Sequence, residues 1–292
     1  MTKKVLLATY THKVKYYCIV DWLKRIQLLM SNFDSVDFLL VDNSDERMSP
    51  SWLRLKMDGI FGKNKQELLW DHKMVGKNSR KKQCMSQQII WDYALKKGYE
   101  KLLIIESDVF PKDDFTIQKM YDSQKAIVSG VFPLLNSDKG RQDDILCVMG
   151  YMLDSKLQKF WFPRWAFEKA MKKIGMDKPV KIYACGLGCI MIDKQVLERI
   201  FPEFASQSLV TGLKKVRKEI SKMKKSNVKT FLKKQVKQIE KIQENWLKKK
   251  VHPDSNFHQN CELNGISRFV IPELDCEHRN TKWEDIEKTV KR

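Results

Sequence analysis

Short apolar runs at wide intervals set the pattern of this chain. Val5 to Ala8, Phe38 to Val41 and Leu102 to Ile105 are each four consecutive apolar residues, too short for a helix of ordinary length. Each reads as a strand buried on both faces, as in parallel sheets. Between the first two, Ile19, Leu23, Ile26, Leu29 and Met30 recur at helical spacing. Strand, helix, strand is the βαβ grammar of a parallel sheet. A second helical face, Met85, Ile89, Ile90, Tyr93 and Leu95, ends at Gly98 and feeds the third strand directly. Residues 52–70 show no clear period.

In the second half, Ala126 to Phe132 and Cys147 to Leu153 read as strands separated by a polar loop. Ile182 to Ile192 reads as strand, glycine turn, strand, and a helix over Lys194 to Ile200 stops at Pro202. Leu213, Val216, Ile220 and Met223 step by three and four. After Ser226-Asn227, so do Val228, Leu232, Val236, Ile239, Ile242 and Trp246. That predicts one long kinked helix or a helical hairpin. A short helix through Cys261 and Leu263, a strand over Arg268 to Pro272 and a closing helix over Trp283 to Val290 complete the chain. The expected fold is α/β, a mostly parallel central sheet flanked by helices. Its halves are 1–130 and 131–292, the second holding a helical insert at 203–250.

Composition changes one part of this picture. The chain has 292 residues, 42% of them hydrophobic, enough for a substantial core. Its net charge is +19, yet residues 211–250 alone carry 15 Lys and Arg against three Glu. The basic character therefore belongs to the insert. Such a segment docks an apolar stripe on the domain with solvated lysines, attaches to an anionic membrane surface, or binds nucleic acid. Seven scattered cysteines, an odd number, point to reduced thiols and a cytoplasmic setting. Cys185 and Cys189 flank Gly-Leu-Gly with no second pair to complete a zinc site, so they read as structural. Lys3-Lys4 is followed by only four apolar residues, which is no signal peptide, and no apolar run approaches the ~20 residues of a membrane span. Any membrane association is expected to be peripheral, on the cytoplasmic face.

Candidate chemistry clusters at strand ends. The third strand runs into Glu106-Ser107-Asp108, two carboxylates at i and i+2, with Pro111 beyond. Ligands of open α/β sheets bind at that end of the strands. Carboxylates there suit Mg2+ or Mn2+, which in turn suits a diphosphate; a lone acidic triplet is otherwise a solvated turn. Asp42 to Asp45 after the second strand offers an acid to a ribose or base, or is simply a turn. Gly76 to Lys82 reads as a basic loop, facing a diphosphate or solvent. Phe160 to Trp165 is an aromatic cluster suited to a core, a sugar platform or an interfacial anchor. Gly186 and Gly188 allow close backbone approach to a ligand.

In this order the features resemble GT-A-fold glycosyltransferases, particularly the family-2-like group. Ala8-Thr9-Tyr10-Thr11 is similar to that family's first strand turn, and Val41-Asp42-Asn43-Ser44 to its nucleotide-contacting segment. Arg80 is similar to the arginine opening the helix before the metal motif. Glu106-Ser107-Asp108 resembles the D-x-D signature, Gly186 to Cys189 the acceptor-side glycine turn, and Asp254 to Phe257 the E-D-x-x-F segment. His278 is similar to a late histidine that ligates the metal. The resemblance covers most of 1–280 outside the insert. It implies a GT-A, Rossmann-like fold and metal-dependent transfer, inverting in stereochemistry, from a nucleotide-diphosphate sugar to a hydroxyl of a glycan or lipid-linked acceptor. Donor contacts would be Thr9, Tyr10, Asp42, Arg80, Glu106, Ser107 and Asp108. Mn2+ or Mg2+ would sit on Asp108 and His278, with Gly186, Gly188, Trp161 and Trp165 on the acceptor side. Asp254 would be the general base, against an alternative as a helix N-cap. Two departures stand out: Glu106 replaces the first Asp of D-x-D, and Pro253 replaces the first acid of E-D. Two other classes remain: a nucleic-acid-binding nucleotidyltransferase or nuclease using the same acidic metal site, and a catalytically silent scaffold.

Overall fold

The three apolar runs form the middle of a nine-stranded sheet. The computed structural model describes residues 4–45, 49–62, 66–77, 79–133, 145–151, 159–200, 218–223, 228–234, 236–237 and 253–279. Strands β1 (Val5–Thr11), β2 (Val36–Asp42) and β4 (Lys101–Ile105) lie side by side, with β3 (Gln66–Trp70) outside β2. All four are parallel. Beyond β4 the order continues β11 (Cys189–Asp193), β6 (Ile127–Val131), β12 (Arg268–His278) and β5 (Val109–Pro111), with β9 (Val180–Ile182) also on β12. Strand β11 runs against both neighbours, while β6 and β12 are parallel and share the direction of β1 to β4. A smaller antiparallel sheet, β10 (Ala184–Cys185), β7 (Ile145–Tyr151) and β8 (Lys159–Pro163), stands beside it. The architecture is thus α/β, with a mostly parallel central sheet flanked by helices, as expected.

Strand alternation divides the core in two. Leu6, Ala8, Leu102 and Ile104 pack on one face with Ile90, Trp91 and Ala94 of α3 (Ser79–Lys97). Val5, Leu7, Leu103 and Ile105 pack on the other with α1 (Tyr16–Ser31), α2 (Ser49–Phe61) and α4 (Thr116–Asp122). On α1 the buried residues are Cys18, Ile19, Trp22, Leu23, Ile26 and Leu29, the face its spacing predicts.

Several boundaries differ from the sequence expectation. Residues 79–82, expected in a basic loop, open α3. Lys82, Ser86 and Gln87 are buried, so the inward face of that helix is polar in its first half and carries no apolar period. The unassigned stretch 52–70 holds most of α2 and all of β3, whose residues are all half-buried and do not alternate. Strand β7 (Ile145–Tyr151) begins two residues before the predicted span, whose last two residues, 152–153, lie outside the described residues. Pro111 belongs to β5, a separate short strand after the acidic turn. The last strand runs on to His278: past a register shift between Val270 and Asp275 it still meets β6 at Val131 and then pairs with β5 from Cys276 to His278. Helices α5 (Arg164–Ile174), α6 (Lys194–Arg199) and α7 (Pro253–Leu263) complete the described helices with defined bounds.

Within the insert, 218–222 and 228–234 are helical. Ile220 and Val236 are buried, whereas Met223 and Val228, from the same predicted stripe, are exposed. Lys229 Nζ donates to Ser221 O and Met223 O, joining the two pieces. The rest of the insert, the polar loop 134–144 and the expected helix from Trp283 to Val290 lie outside the described residues.

Helix α1 anchors the turn between β4 and β5. Trp22, fully buried, donates from Nε1 to Val109 O at 3.0 Å, and Cys18 Sγ lies 3.4 Å from Ser107 O. Replacing Trp22 with Phe removes the only donor on that ring and leaves a small void. The expected loss is about 1–3 kcal/mol in urea unfolding. An unchanged midpoint would show that this bond does not hold the turn.

Candidate active site

The parallel strands β1, β2 and β4 all end at one edge of the sheet, and the loops that follow them enclose a cavity of about 710 Å³. Tyr10, Thr11, His12 and Lys15 reach it from β1 and the 3-10 turn Lys13–Lys15. Asn43 and Asp45 come from the end of β2, Lys82 and Gln83 from the first turns of α3, and Glu106 and Asp108 from the turn after β4. The opposite wall is Phe132, Cys147, the Gly186–Gly188 turn, Asp254 and His278.

Of the residues singled out in sequence, Tyr10, Glu106, Asp108, Gly186, Gly188, Asp254 and His278 therefore meet in one place. Thr9, Asp42 and Ser107 are fully buried just beneath it. Asp42 accepts hydrogen bonds from Ser44 N–H (3.0 Å), Ser44 Oγ (2.7 Å) and Tyr16 Oη (3.3 Å), so it shapes the loop after β2. Burial raises its carboxyl, a shift those bonds oppose. Trp161 on β8 and Trp165 on α5 are exposed and do not line the cavity. Arg80 lies in the first turn of α3; its side chain is outside the described set.

The acidic turn divides into two unlike carboxylates. Asp108 Oδ2 lies 2.8 Å from Lys15 Nζ and 3.6 Å from His278 Nε2. Burial pushes Asp108 up, but Lys15 and His278 outweigh it and hold the group at about 2. Glu106 goes the other way: burial, then the charges of Asp108 and Asp254, raise it despite Lys15. Tyr10 Oη donates to Glu106 Oε1 and accepts from Gln83 Nε2 at 2.9 Å. Burial and the Glu106 charge push the Tyr10 phenol well above its ordinary value. Two carboxylates with opposed tendencies in one cavity provide the contrast that acid–base chemistry uses.

His278 has a fixed orientation. Its Nδ1 is 3.0 Å from Pro133 O, which can only accept, so Nδ1 carries a proton and Nε2 turns to Asp108. Phe132 packs edge-on against the ring at 5.8 Å. Burial lowers the imidazole, yet Asp108 reverses this and the net shift is upward. Asp108 Oδ1 is buried without a hydrogen-bond partner among the described residues. An imidazole nitrogen and an unsatisfied carboxylate oxygen fit a divalent cation, although no group of three or more His, Cys, Asp or Glu able to hold one occurs among the described residues.

Asp254 is the second residue of α7 and follows Pro253, which suits a first helical turn because its missing N–H is not needed there. Asp254 thus lies inside the first turn of the helix and is not its N-cap. Its Oδ2 accepts from Leu187 N–H at 3.4 Å, which ties it to the glycine turn. A Cβ on Gly186 would come within 2.4 Å of Cys147 Sγ and 2.6 Å of Phe132 Cζ, so no larger residue fits that wall unless those side chains move. One turn along α7, His258 is buried against β10, its Nε2 2.6 Å from Cys185 O and 3.2 Å from Cys185 N.

Lys15, His12 and Gln83 were not singled out in sequence, whereas Lys82 and Asn43 fell within the basic loop and the nucleotide-contacting segment named there. Lys82 Nζ is 2.6 Å from Asp45 Oδ2 and 3.5 Å from His12 Nε2. The signal available was position: His12 and Lys15 directly follow a parallel strand, where ligand-binding loops arise.

No family model matches the chain, and no curated protein matches it. Among solved structures, it is similar to A197 from STIV, at 16% identity over 68% of this chain and 69% of that one, TM-score 0.33. It is also similar to the mannosyltransferase PcManGT from Pyrobaculum calidifontis in complex with GDP-Man and Mn2+, at 12% identity and TM-score 0.41, over 68% of this chain but 47% of that one. A third is a putative glucose-1-phosphate thymidylyltransferase from Bacillus anthracis in complex with a sucrose, at 11% identity over 67% and 73% of the two chains, TM-score 0.38. At such identities and scores these likenesses carry no argument about what the cavity does.

Burial lowers His258 to about 4 from its ordinary 6.5. A folded value below the unfolded one contributes stability that is present above pH 6.5 and lost as pH falls toward 4. Wild type should therefore lose roughly 2 kcal/mol between pH 7 and pH 5 that His258→Gln does not lose, read by urea unfolding at both pH values. Equal losses in the two proteins would remove His258 as the acid-sensitive anchor of α7.

Proposed function

We propose that this cavity transfers a sugar from a nucleotide-diphosphate donor to a hydroxyl of a glycan or lipid-linked acceptor, as a metal-dependent, hexosyltransferase-type enzyme with inverting stereochemistry. The observation that carries the reading is the division of the cavity. Lys15, Lys77, Lys82 and His12 form a basic side at the ends of β1 and β2, where a diphosphate would be met by charge-assisted hydrogen bonds. Asp254 stands on the glycine-turn wall, and the turn after β4 brings Glu106 and Asp108 between the two, Asp108 touching Lys15.

In this reading Asn43 and Asp45 flank the nucleoside end, and Glu106, steadied by Tyr10 and Gln83, faces the donor sugar. Asp108 and His278 would hold Mn2+ or Mg2+, which supplies Lewis-acid stabilisation to the departing diphosphate. Asp254 takes the proton of the acceptor hydroxyl as its oxygen bonds to the anomeric carbon and the bond to the diphosphate breaks. The Leu187 N–H holds the Asp254 carboxylate toward the glycine turn, along which the acceptor lies. Exposed Trp161 and Trp165 extend the acceptor side beyond the cavity, the donor contacts lying in 1–130 and the acceptor contacts in 131–292. No described helix is long and apolar enough to cross a membrane. The lysine-rich 211–250 segment would supply peripheral attachment to anionic lipid, each basic residue contributing about 1 kcal/mol near such a surface.

The test is hydrolysis and transfer with a panel of sugar nucleotides in Mn2+. Asp254→Asn should cut transfer on the order of 10²–10⁴-fold while leaving donor binding nearly unchanged. Asp108→Asn should abolish the Mn2+-dependent turnover with the fold intact by circular dichroism. Release of pyrophosphate in place of a nucleoside diphosphate would move the reading to nucleotidyl transfer. Full activity in both variants would overturn it.

A further inference from the structure

Lys15 is the one described cation that touches Asp108 from the donor side of the cavity. Its Nζ stands 2.8 Å from Asp108 Oδ2, the same oxygen that faces His278 Nε2 at 3.6 Å. A lysine and a divalent cation therefore have claims on one carboxylate. An ammonium 2.8 Å from that oxygen and a dication bound to it would repel strongly in a site this buried. The backbone of Lys15 is held in place: its N–H donates to His12 O at 2.7 Å, Cys18 Sγ lies 3.4 Å from its carbonyl, and Lys13 N–H donates to Ser44 Oγ at 2.8 Å. The side chain is 28% exposed, so the ammonium can turn into the cavity while the stem stays fixed. Lys82, by contrast, is buried and bound to Asp45.

Resting on the proposed nucleotide-sugar reading, we infer that Lys15 is a positioning residue that makes cation binding conditional on a diphosphate. With the cavity empty, its ammonium occupies Asp108 and opposes a lone divalent ion. A diphosphate draws the ammonium onto its own oxygens, which releases Asp108 Oδ2 to the cation. The two ligands then bind with positive coupling, because each removes the obstacle to the other. The same lysine serves as counter-ion in the empty site and as phosphate ligand in the filled one. No bond is made or broken in the exchange; only the partner of one ammonium changes.

The test reads each ligand alone in wild type and Lys15→Met. Mn2+ is followed by the electron paramagnetic resonance signal of the free ion, and inorganic pyrophosphate by calorimetry in the presence of a chelator. The variant should bind Mn2+ roughly tenfold more tightly and pyrophosphate roughly tenfold more weakly, the size of one charge-assisted hydrogen bond. Opposite signs are the point, since general damage to the site weakens both. Lys15→Arg keeps the charge and should stay near wild type in both measurements, which controls for a poorly folded Met variant. Mn2+ bound no more tightly by Lys15→Met than by wild type overturns the inference alone, as does unchanged pyrophosphate affinity. Mn2+ that binds neither protein overturns the cation part of the proposed function and this inference together. Opposed shifts in a protein that turns over no sugar nucleotide leave the exchange standing and remove the transferase reading.

Discussion

The turn from Glu106 to Val109 is the constraint on which the rest of the site depends. A strand buried on both faces has to leave the core with its backbone groups satisfied. Here they are satisfied from several sides at once. Glu106 N–H donates to Gly188 O, Arg279 N–H donates to Asp108 O, and Trp22 donates to Val109 O. Those partners belong to the glycine turn, the end of β12 and α1, which are far apart in sequence. Fixing the two carboxylates therefore also fixes the wall that carries Asp254 and the strand that carries His278. The acidic turn is less a feature of one strand than the junction of three elements.

Much of this was legible in the sequence, for identifiable reasons. Strands β1, β2 and β4 announce themselves because burial on both faces leaves uninterrupted apolar runs. Helix α1 was legible because one face is apolar throughout. The resemblance placed Asp108, Gly186, Gly188, Asp254 and His278 in order along the chain, and the fold gathers them around one cavity. What could not be read was anything whose environment arises only on folding. The first half of α3 turns polar side chains inward, so its helical period is hidden. Lys15 looks like any surface lysine until the turn after β4 brings Asp108 to it. Asp42, Thr9 and Ser107 sit next to the cavity in sequence terms but are fully buried and do not line it.

The bulge in β12 shows how one irregularity bears on the placing of one side chain. Before it, the strand pairs with β6 and β9; after it, Asp275 still pairs with Val131 of β6, and Cys276 to His278 pair with β5. The shift returns the chain to the acidic turn, where the main chain of Arg279 meets Asp108. Bulges next to active sites commonly re-aim a side chain in this manner.

The seven cysteines have a consequence of another kind. Every one is buried and outside any disulfide, and they are spread over α1, α3, β7, β10, β11, α7 and β12. A thiol shielded this way reacts with an alkylating reagent only when its surroundings open. The protein therefore carries its own set of local reporters, one in almost every layer. Cys147 and Cys185 watch the small sheet, Cys18 the helix beneath the acidic turn, and Cys261 the helix that bears Asp254. Their relative labelling rates would rank which parts of the molecule breathe independently and which come apart only with the whole.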